Sequence, residues 1–212
     1  MPERSYRILF WVLALAGLTA DQATKYRVFS WLADVPGNTH VVFADKEHKG
    51  FSLVAQFEEN EDHTLKKTVD GRLVPHVNHG ALNGFLRDYE TLANRGFAVV
   101  SLLAALAILY WSTQQTTARD LALCAALGLI LAGTLGNLYD RLVFNGVRDF
   151  LHWNYLFEWP VFNVADCCLV CGAGLLLYQA FTAKPVVEPA KPLVTARPAT
   201  PQHETTCAGQ KA

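Results

Sequence analysis

Three stretches of this chain are long, apolar and free of Lys, Arg, Asp and Glu: Gly96 to Ala118, Leu121 to Tyr139, and Cys167 to Ala183. A helix needs about 17 to 25 residues to cross the hydrocarbon core of a bilayer. The first two runs have that length, and the third, which is at the lower limit, spans comfortably only once Val161 to Asp166 is included. A fourth apolar run, Tyr6 to Ala20, lies near the N-terminus. The fold class expected is therefore a membrane protein with an all-α core of four transmembrane helices. Of the 212 residues, 51% are hydrophobic and only 17% are charged, where a soluble domain carries about a quarter. The formal net charge is -1 and no basic run is present, so no nucleic-acid partner is expected.

The N-terminal run has Arg4 and Arg7 ahead of its apolar core, as a secretory signal would. Cleavage after Ala16 would leave too short a core, and cleavage after Ala20 would put Leu18 where a small residue is wanted, so an uncleaved helix is expected. Arg4 and Arg7 favour a cytoplasmic N-terminus, and an even number of spans puts the C-terminus on the same side. Trp31 to Arg95 and Arg141 to Pro160 then lie outside. Cys124, Cys167, Cys168 and Cys171 fall in apolar runs and read as small buried hydrophobes rather than as a disulfide framework or a thiolate metal site.

The outer segment from Asp34 to Pro75 is polar and alternating. His40 to Phe43, Phe51 to Phe57 and Leu73-Val74 read as short strands, and Asp70-Gly71 as a two-residue hairpin turn. A small extracytoplasmic β-structure is expected, with Trp31, Trp153 and Trp159 at the membrane–water interface. No internal repeat is evident. From residue 183 the composition shifts to Pro, Ala, Thr and Lys, with Cys207 among them, and 183–212 reads as a disordered cytoplasmic tail. The domain division is 1–182 for the membrane domain, with an outer insertion at about 34–76, and 183–212 for the tail.

Ionisable groups in membrane helices are costly and mark function by default. Three clusters stand out. Ile8 to Ala20 is roughly 13 residues, or about 20 Å of helix, so a spanning helix must continue through Asp21-Gln22-Ala23-Thr24-Lys25. Asp21 and Lys25 at i and i+4 then share a face and can pair. At the end of the third span, Asn137, Asp140 and Arg141 fall on one helix face, and Asp149 follows in a Gly-containing connection. In the fourth, Pro160 marks the helix start, which puts Asp166 about one and a half turns inside, on the face of Asn163. A structural capping role for Asp166 at a helix N-terminus competes with a chemical one. Two close carboxylates share a proton: one takes a proton from water while the other donates to a scissile carbonyl. No Gly-x-Ser-x-Gly, His-Glu-x-x-His or phosphate-binding loop is present. His152 lies near Asp149 and reads as interfacial. On residue chemistry alone Asp21, Asp140, Asp149 and Asp166 all remain eligible.

The blocks Gly136 to Phe150 and Phe162 to Gly172 closely resemble the paired aspartate motifs of lipoprotein signal peptidases (signal peptidase II). Asp21-Gln22-x-x-Lys25 is similar to that family's motif at the end of its first helix, and Asn78-His79-Gly80-Ala81 to its outer-loop motif. The four occur in family order across roughly residues 6 to 182. The resemblance implies an aspartyl endopeptidase of the bacterial inner membrane with its site at the extracytoplasmic face. Asp149 and Asp166 would be the catalytic pair. Asn137, Asp140, Arg141 and Asn163 would hold it and help bind substrate. Asn78 and Gly80 would contact substrate backbone, with Asp21 and Lys25 in support. The implied partners are membrane phospholipid and diacylglyceryl-modified prolipoproteins, cut just before the lipidated cysteine, and no metal or other cofactor is implied. The chain departs from the pattern at Arg148, where the family usually has an apolar residue; its charge is expected to stabilise the ionised pair or meet lipid phosphate. Asn83 and Gly84 replace the usual Phe-Ser, and the outer insertion and tail are extra. The alternatives are a proton- or ion-coupled transporter and a non-catalytic membrane scaffold. The clustering of the polar groups at one face argues against transport.

Overall fold

The computed structural model describes residues 5–47, 49–80 and 90–182. The expected tail, Cys207, Ala81, Asn83 and Gly84 lie outside the described residues. Helix α1 runs Arg7–Leu32, α2 Glu90–Ser112, the short α3 Gln115–Ala118, α4 Leu121–Phe144 and α5 Val164–Thr182; strands β1 (Thr39–Ala44), β2 (Gly50–Val54) and β3 (Leu151–Trp153) form one small sheet.

Among the described residues, three helical stretches are long and apolar enough to cross a membrane: Thr91–Ser112, Leu121–Phe144 and Val164–Thr182. The first ends at Ser112 rather than Ala118, because residues 115–118 form the separate α3. Helix α1 has the length, at 26 residues, but Asp21, Gln22 and Lys25 lower its apolarity. It does continue through Asp21 and Lys25, both of which are buried.

α4 is the hub, packed against α1, α2 and α5. In lipid the association of helices rests on close packing rather than on apolar burial, so small residues line the contacts. A Cβ on Gly133 would run into the Ala165 carbonyl oxygen of α5, and one on Gly136 would stand 2.6 Å from Asp21 Oδ2 of α1. At one end of the bundle Phe10, Ala14, Ala105, Ile108, Cys124, Leu127 and Leu131 form a core. The outward faces stay apolar, with Val12 and Leu15 on α1, Leu103 and Leu106 on α2, and Val170 and Leu177 on α5 all exposed.

At the other end the sheet has the order β1-β2-β3, antiparallel throughout, with Leu53 opposite Leu151 and a bulge between Val41 and Phe43. It sits on α1 through a second core of Phe29, Leu32, Ala55 and Phe150. The expected strand at Leu73-Val74 appears only as an isolated bridge, Lys67 to Leu73. The Asp70-Gly71 turn is a three-residue loop: Thr68 N–H donates to Arg72 O at 2.8 Å, Gly71 N–H to Thr68 O at 2.9 Å, and Gly71 takes the left-handed φ of 78°.

The expectation of no internal repeat is overturned. Asn60, His63 and Thr64 repeat the geometry of Thr68, Gly71 and Arg72, with bonds of 2.8 and 3.0 Å and a φ of 62° at His63. The three legs close in a ring, with Glu58 N–H donating to Val74 O, Val74 N–H to Lys66 O and Lys66 N–H to Glu58 O, at 2.8–2.9 Å. Phe57, Leu65 and Leu73 recur at every eighth position. Phe57 fixes this unit to α1 by an edge contact with Phe29, 5.8 Å between ring centres.

Gly133→Val is expected to cost about 1–3 kcal/mol of stability through overpacking, seen as a lower Tm in detergent. Gly174→Val, on the same bundle with nothing within 4 Å of its Cβ, is expected to leave Tm unchanged. Equal Tm values for the two variants would contradict the α4–α5 packing.

Candidate active site

The polar groups of α1 point into the bundle where α4 and α5 meet. Lys25 Nζ lies 2.9 Å from Asp21 Oδ2, the i, i+4 pair that the spacing suggested, and 3.5 Å from Asp140 Oδ2. Its third contact is Asn137 Oδ1, at 3.2 Å. The other oxygen of Asp21 accepts the backbone N–H of Ala165 at 2.9 Å, one of the unpaired donors in the first turn of α5. Gln22 Nε2 lies 3.0 Å from Asp21 Oδ2 and 3.2 Å from Asp140 Oδ1. Asp21, Lys25 and Asp140 are each 0% exposed.

α4 ends in a left-handed cap at Asn145, φ 59°. The chain then turns back as an extended segment carrying Arg148 and Asp149. Arg148 meets neither the pair Asp149 and Asp166 nor the lipid surface, the two partners expected for its charge. It is 1% exposed and lies against Asp140. Its Nη2 is 2.8 Å from Asp140 Oδ1, its Nε 3.1 Å and its backbone N 2.9 Å from Asp140 Oδ2. The guanidinium lies over the rings of Tyr26 and Phe144, 4.3 and 4.0 Å from their centres. The physical reason is reach: from an extended segment folded back along α4, the fork matches a carboxylate bidentately.

Asp166 stands in the first turn of α5, not one and a half turns inside. Pro160 is not the helix start, because Phe162 is still extended and pairs with Leu151. Asn163 caps the helix: its Oδ1 accepts Asp166 N–H at 3.1 Å, while its own N–H donates to Asp166 Oδ2 at 3.0 Å, a reciprocal capping box. The capping role weighed for Asp166 is therefore present, and it occupies one oxygen. The other, Oδ1, accepts Asn137 Nδ2 at 2.8 Å.

Asn163 Nδ2 also donates to Asp149 Oδ1 at 2.7 Å, and Asn78 Nδ2 donates to Asp149 Oδ2 at 3.1 Å. One asparagine thus bonds both carboxylates. Asp149 and Asp166 are partly accessible, whereas Asp21 and Asp140 are sealed in ion pairs. Burial pushes Asp149 up to about 6, against the pull of the hydrogen bonds from Asn163 and Asn78; the Asp166 charge adds to the rise and Lys25 opposes it.

Asn78 reaches the site because its backbone pairs with Val147 in both directions, at 2.8 and 2.9 Å. Its Oδ1 accepts Gly80 N–H at 2.8 Å, so both ends of its amide are engaged within the protein. Gly80 has φ 77° and a Cβ there would stand 2.7 Å from the Phe97 ring. Arg141 lies over that same ring, 5.5 Å from its centre, and donates to Asn137 O at 3.3 Å. It is in electrostatic range of Asp166 and Asp149, and its buried Nε has no partner among the described residues. His152 lies in β3 opposite Ser52. Gln22 and Tyr26 were not singled out from the sequence, although Gln22 stands beside Asp21 in the block that was.

Residues 13–182 match the family described as Signal peptidase (SPase) II. Among similar proteins named "Lipoprotein signal peptidase", that of Rhodopirellula baltica is 34% identical over 186 residues, covering 82% of this chain and 71% of the relative. That of Pseudoalteromonas translucida is 44% identical over 108 residues, covering 50% of this chain. The match spans 64% of that relative's length, and 94% of the Francisella tularensis relative, which is 29% identical. A solved structure described as "Bacterial membrane enzyme structure by the in meso method at 2.3 A resolution" shares the fold, with a TM-score of 0.63, 22% identity, and coverage of 90% of this chain and 99% of that one.

The Asp149 carboxyl is expected to stay protonated until about pH 6, and Asn78→Ala, which removes a hydrogen bond to its charged form, is expected to raise that midpoint further. Carboxyl carbon shifts of labelled aspartate, followed against pH in detergent, measure both. A midpoint near the ordinary value of about 3.9 would contradict this account of the site.

Proposed function

The chain belongs to the signal peptidase II family, and we propose that it is an aspartyl endopeptidase that removes the signal peptide from diacylglyceryl-modified prolipoproteins by means of Asp149 and Asp166. The observation that carries the reading is the shared asparagine: Asn163 holds one oxygen of each carboxylate, at 2.7 and 3.0 Å.

The mechanism follows from the chemistry of such a pair. With one proton between them, the ionised carboxylate takes a proton from water as the water oxygen bonds to the scissile carbonyl carbon. The protonated partner donates to the carbonyl oxygen. The tetrahedral species collapses, the C–N bond breaks, and a proton passes to the leaving amine of the lipidated cysteine. No covalent enzyme intermediate is needed. Asn137 and Asn78 hold the outer oxygens, so each carboxylate keeps its orientation whichever of the two carries the proton. In this reading Arg141, in electrostatic range of Asp166 and Asp149, and Gly80, bonded to Asn78, stand beside the bound substrate.

In this reading α1 is a fourth span. Its 26 residues give about 39 Å of helix at 1.5 Å per residue, more than a hydrocarbon core of about 30 Å requires. Its polar groups face α4 and α5 while Val12 and Leu15 face outward. Arg4 and Arg7 favour a cytoplasmic N-terminus, and in this reading both ends of the membrane domain (1–182) lie there, with the sheet and the aspartates at the extracytoplasmic face of the inner membrane, in contact with phospholipid. The segment 183–212 is then a cytoplasmic tail.

Purified wild-type protein is expected to cleave a diacylglyceryl-modified prolipoprotein immediately before the lipidated cysteine. Asp149→Asn and Asp166→Asn are each expected to lose at least about 100-fold in rate, the lower end of what a general acid or base contributes. Mass spectrometry of the products reads both. An intact substrate with the wild type, or variants as fast as it, would sink the proposal.

A further inference from the structure

We propose that Arg148 is a positioning residue for Asp149: by gripping Asp140 with its side chain and its own backbone N–H, it fixes the extended segment from which Asp149 projects. The inference rests on the reading of Asp149 as a member of the dyad.

Three donors of one residue converge on one carboxylate. Arg148 N and Nε reach Asp140 Oδ2 at 2.9 and 3.1 Å, and Nη2 reaches Oδ1 at 2.8 Å. Nη2 also donates to Gln22 Oε1 at 3.1 Å, which ties the segment to α1. The rings of Tyr26 and Phe144 at 4.3 and 4.0 Å confine the guanidinium, and Tyr26 is itself held by Tyr139 through their hydroxyls at 2.9 Å. Asp140 is one turn after Asn137 on α4, so the helix that orients Asp166 through Asn137 also orients Asp149 through Arg148. Without that link, α4 would reach Asp149 only through the Asn163 amide, which lies against Asn137 Oδ1 at 3.2 Å and donates to Asp149 Oδ1 at 2.7 Å.

Neighbouring residues hold the ends of the segment but not its middle. Val147 is paired with Asn78, and Phe150 donates to Phe162 O at 3.0 Å with its ring buried beside Phe29 and Leu32. Between them the Arg148 side chain goes to Asp140, while the Asp149 carboxylate accepts Asn78 and Asn163. Pulling Arg148 inward is what presents Asp149 to Asn78 and Asn163. The charge of Arg148 is directed at Asp140 rather than at Asp149, whose charged neighbours are Asp166 and Lys25, with Arg141 in range from α4. An apolar residue at 148 would leave Asp140 the backbone N–H, Lys25 and Gln22, and would remove the fork that sets the segment.

The test compares wild type, Arg148→Met, Arg148→Lys and Asp140→Asn/Arg148→Met in detergent. The double variant removes the excess buried negative charge that Arg148→Met leaves in the cluster, and so serves as the folded comparison where Arg148→Met alone fails to fold. The first readout is the titration midpoint of the Asp149 carboxyl carbon, assigned by its loss in Asp149→Asn. Loosened bonds from Asn78 and Asn163 are expected to raise it by about half a pH unit or more in both Met variants, with Lys, a point charge without the fork, in between. The second is the kinetics per folded enzyme on the lipidated prolipoprotein. kcat is expected to fall about tenfold with KM within about twofold, the mark of an interaction that acts on the reacting group rather than on binding. An unchanged midpoint, or an unchanged kcat alongside a merely lower Tm, would overturn the inference. A wild type that does not cleave defeats the peptidase reading instead, and the midpoint alone then decides the role of Arg148.

Discussion

Two carboxylates and two cations lie sealed at the junction of α1, α4 and α5: Asp21, Lys25 and Asp140 at 0% exposure and Arg148 at 1%. Their formal charges cancel. An unpaired ion in such a place costs several kcal/mol after all relaxation, so the four have to be satisfied together. Pairing joins parts that are distant in sequence: Lys25 links α1 to α4, Asp21 receives the N-terminus of α5, and Asp140 holds the segment returning from α4. Buried ion pairs of this kind add little stability over an apolar core of the same volume. Here they join three helices and one loop.

The candidate dyad hangs from that cluster through amides. Asn137 receives Lys25 and Asn163 on its oxygen and gives its nitrogen to Asp166; Asn163 spans Asp166 and Asp149; Asn78 closes the far side. The hydrogen bonds that hold these carboxylates come from neutral groups. Neutral donors fix direction without demanding that both carboxylates be ionised, and a pair that is to share a proton needs that freedom. The contrast with Asp21 and Asp140 is one of surroundings, not of residue type: those two are buried against Lys25 and Arg148, whereas Asp149 and Asp166 are partly accessible and held by amides.

Much of this was legible in the sequence, because helical periodicity is local. The i, i+4 relation of Asp21 and Lys25 and the common face of Asn137 and Asp140 follow from 3.6 residues per turn, and three of the four expected spans follow from length and apolarity. What escaped depends on contacts across the chain. Arg148 looked like a charge meant for the dyad or for lipid, since nothing local shows that the left-handed cap at Asn145 folds it back onto Asp140. Asp166 looked deeper than it is because Pro160 resembled a helix start, while the pairing of Phe162 with Leu151 keeps the chain extended as far as Asn163. The eight-residue repeat of the insertion shows in the sequence only as the spacing of Phe57, Leu65 and Leu73; the rest of its likeness lies in backbone bonds and in positive φ angles at the unlike residues His63 and Gly71. Residue type alone left four aspartates eligible; accessibility and partners separate them into two pairs.

The central claim is that Asp149 and Asp166 act as one unit joined by Asn163. Single-turnover cleavage of a lipidated prolipoprotein by Asp149→Asn, Asp166→Asn and the double variant tests it most directly, because residues that act together lose their effect together. The double variant is expected to retain the same residual rate as either single one, within about threefold. A loss in the double variant equal to the product of the two single losses would show two independent contributions and contradict the account.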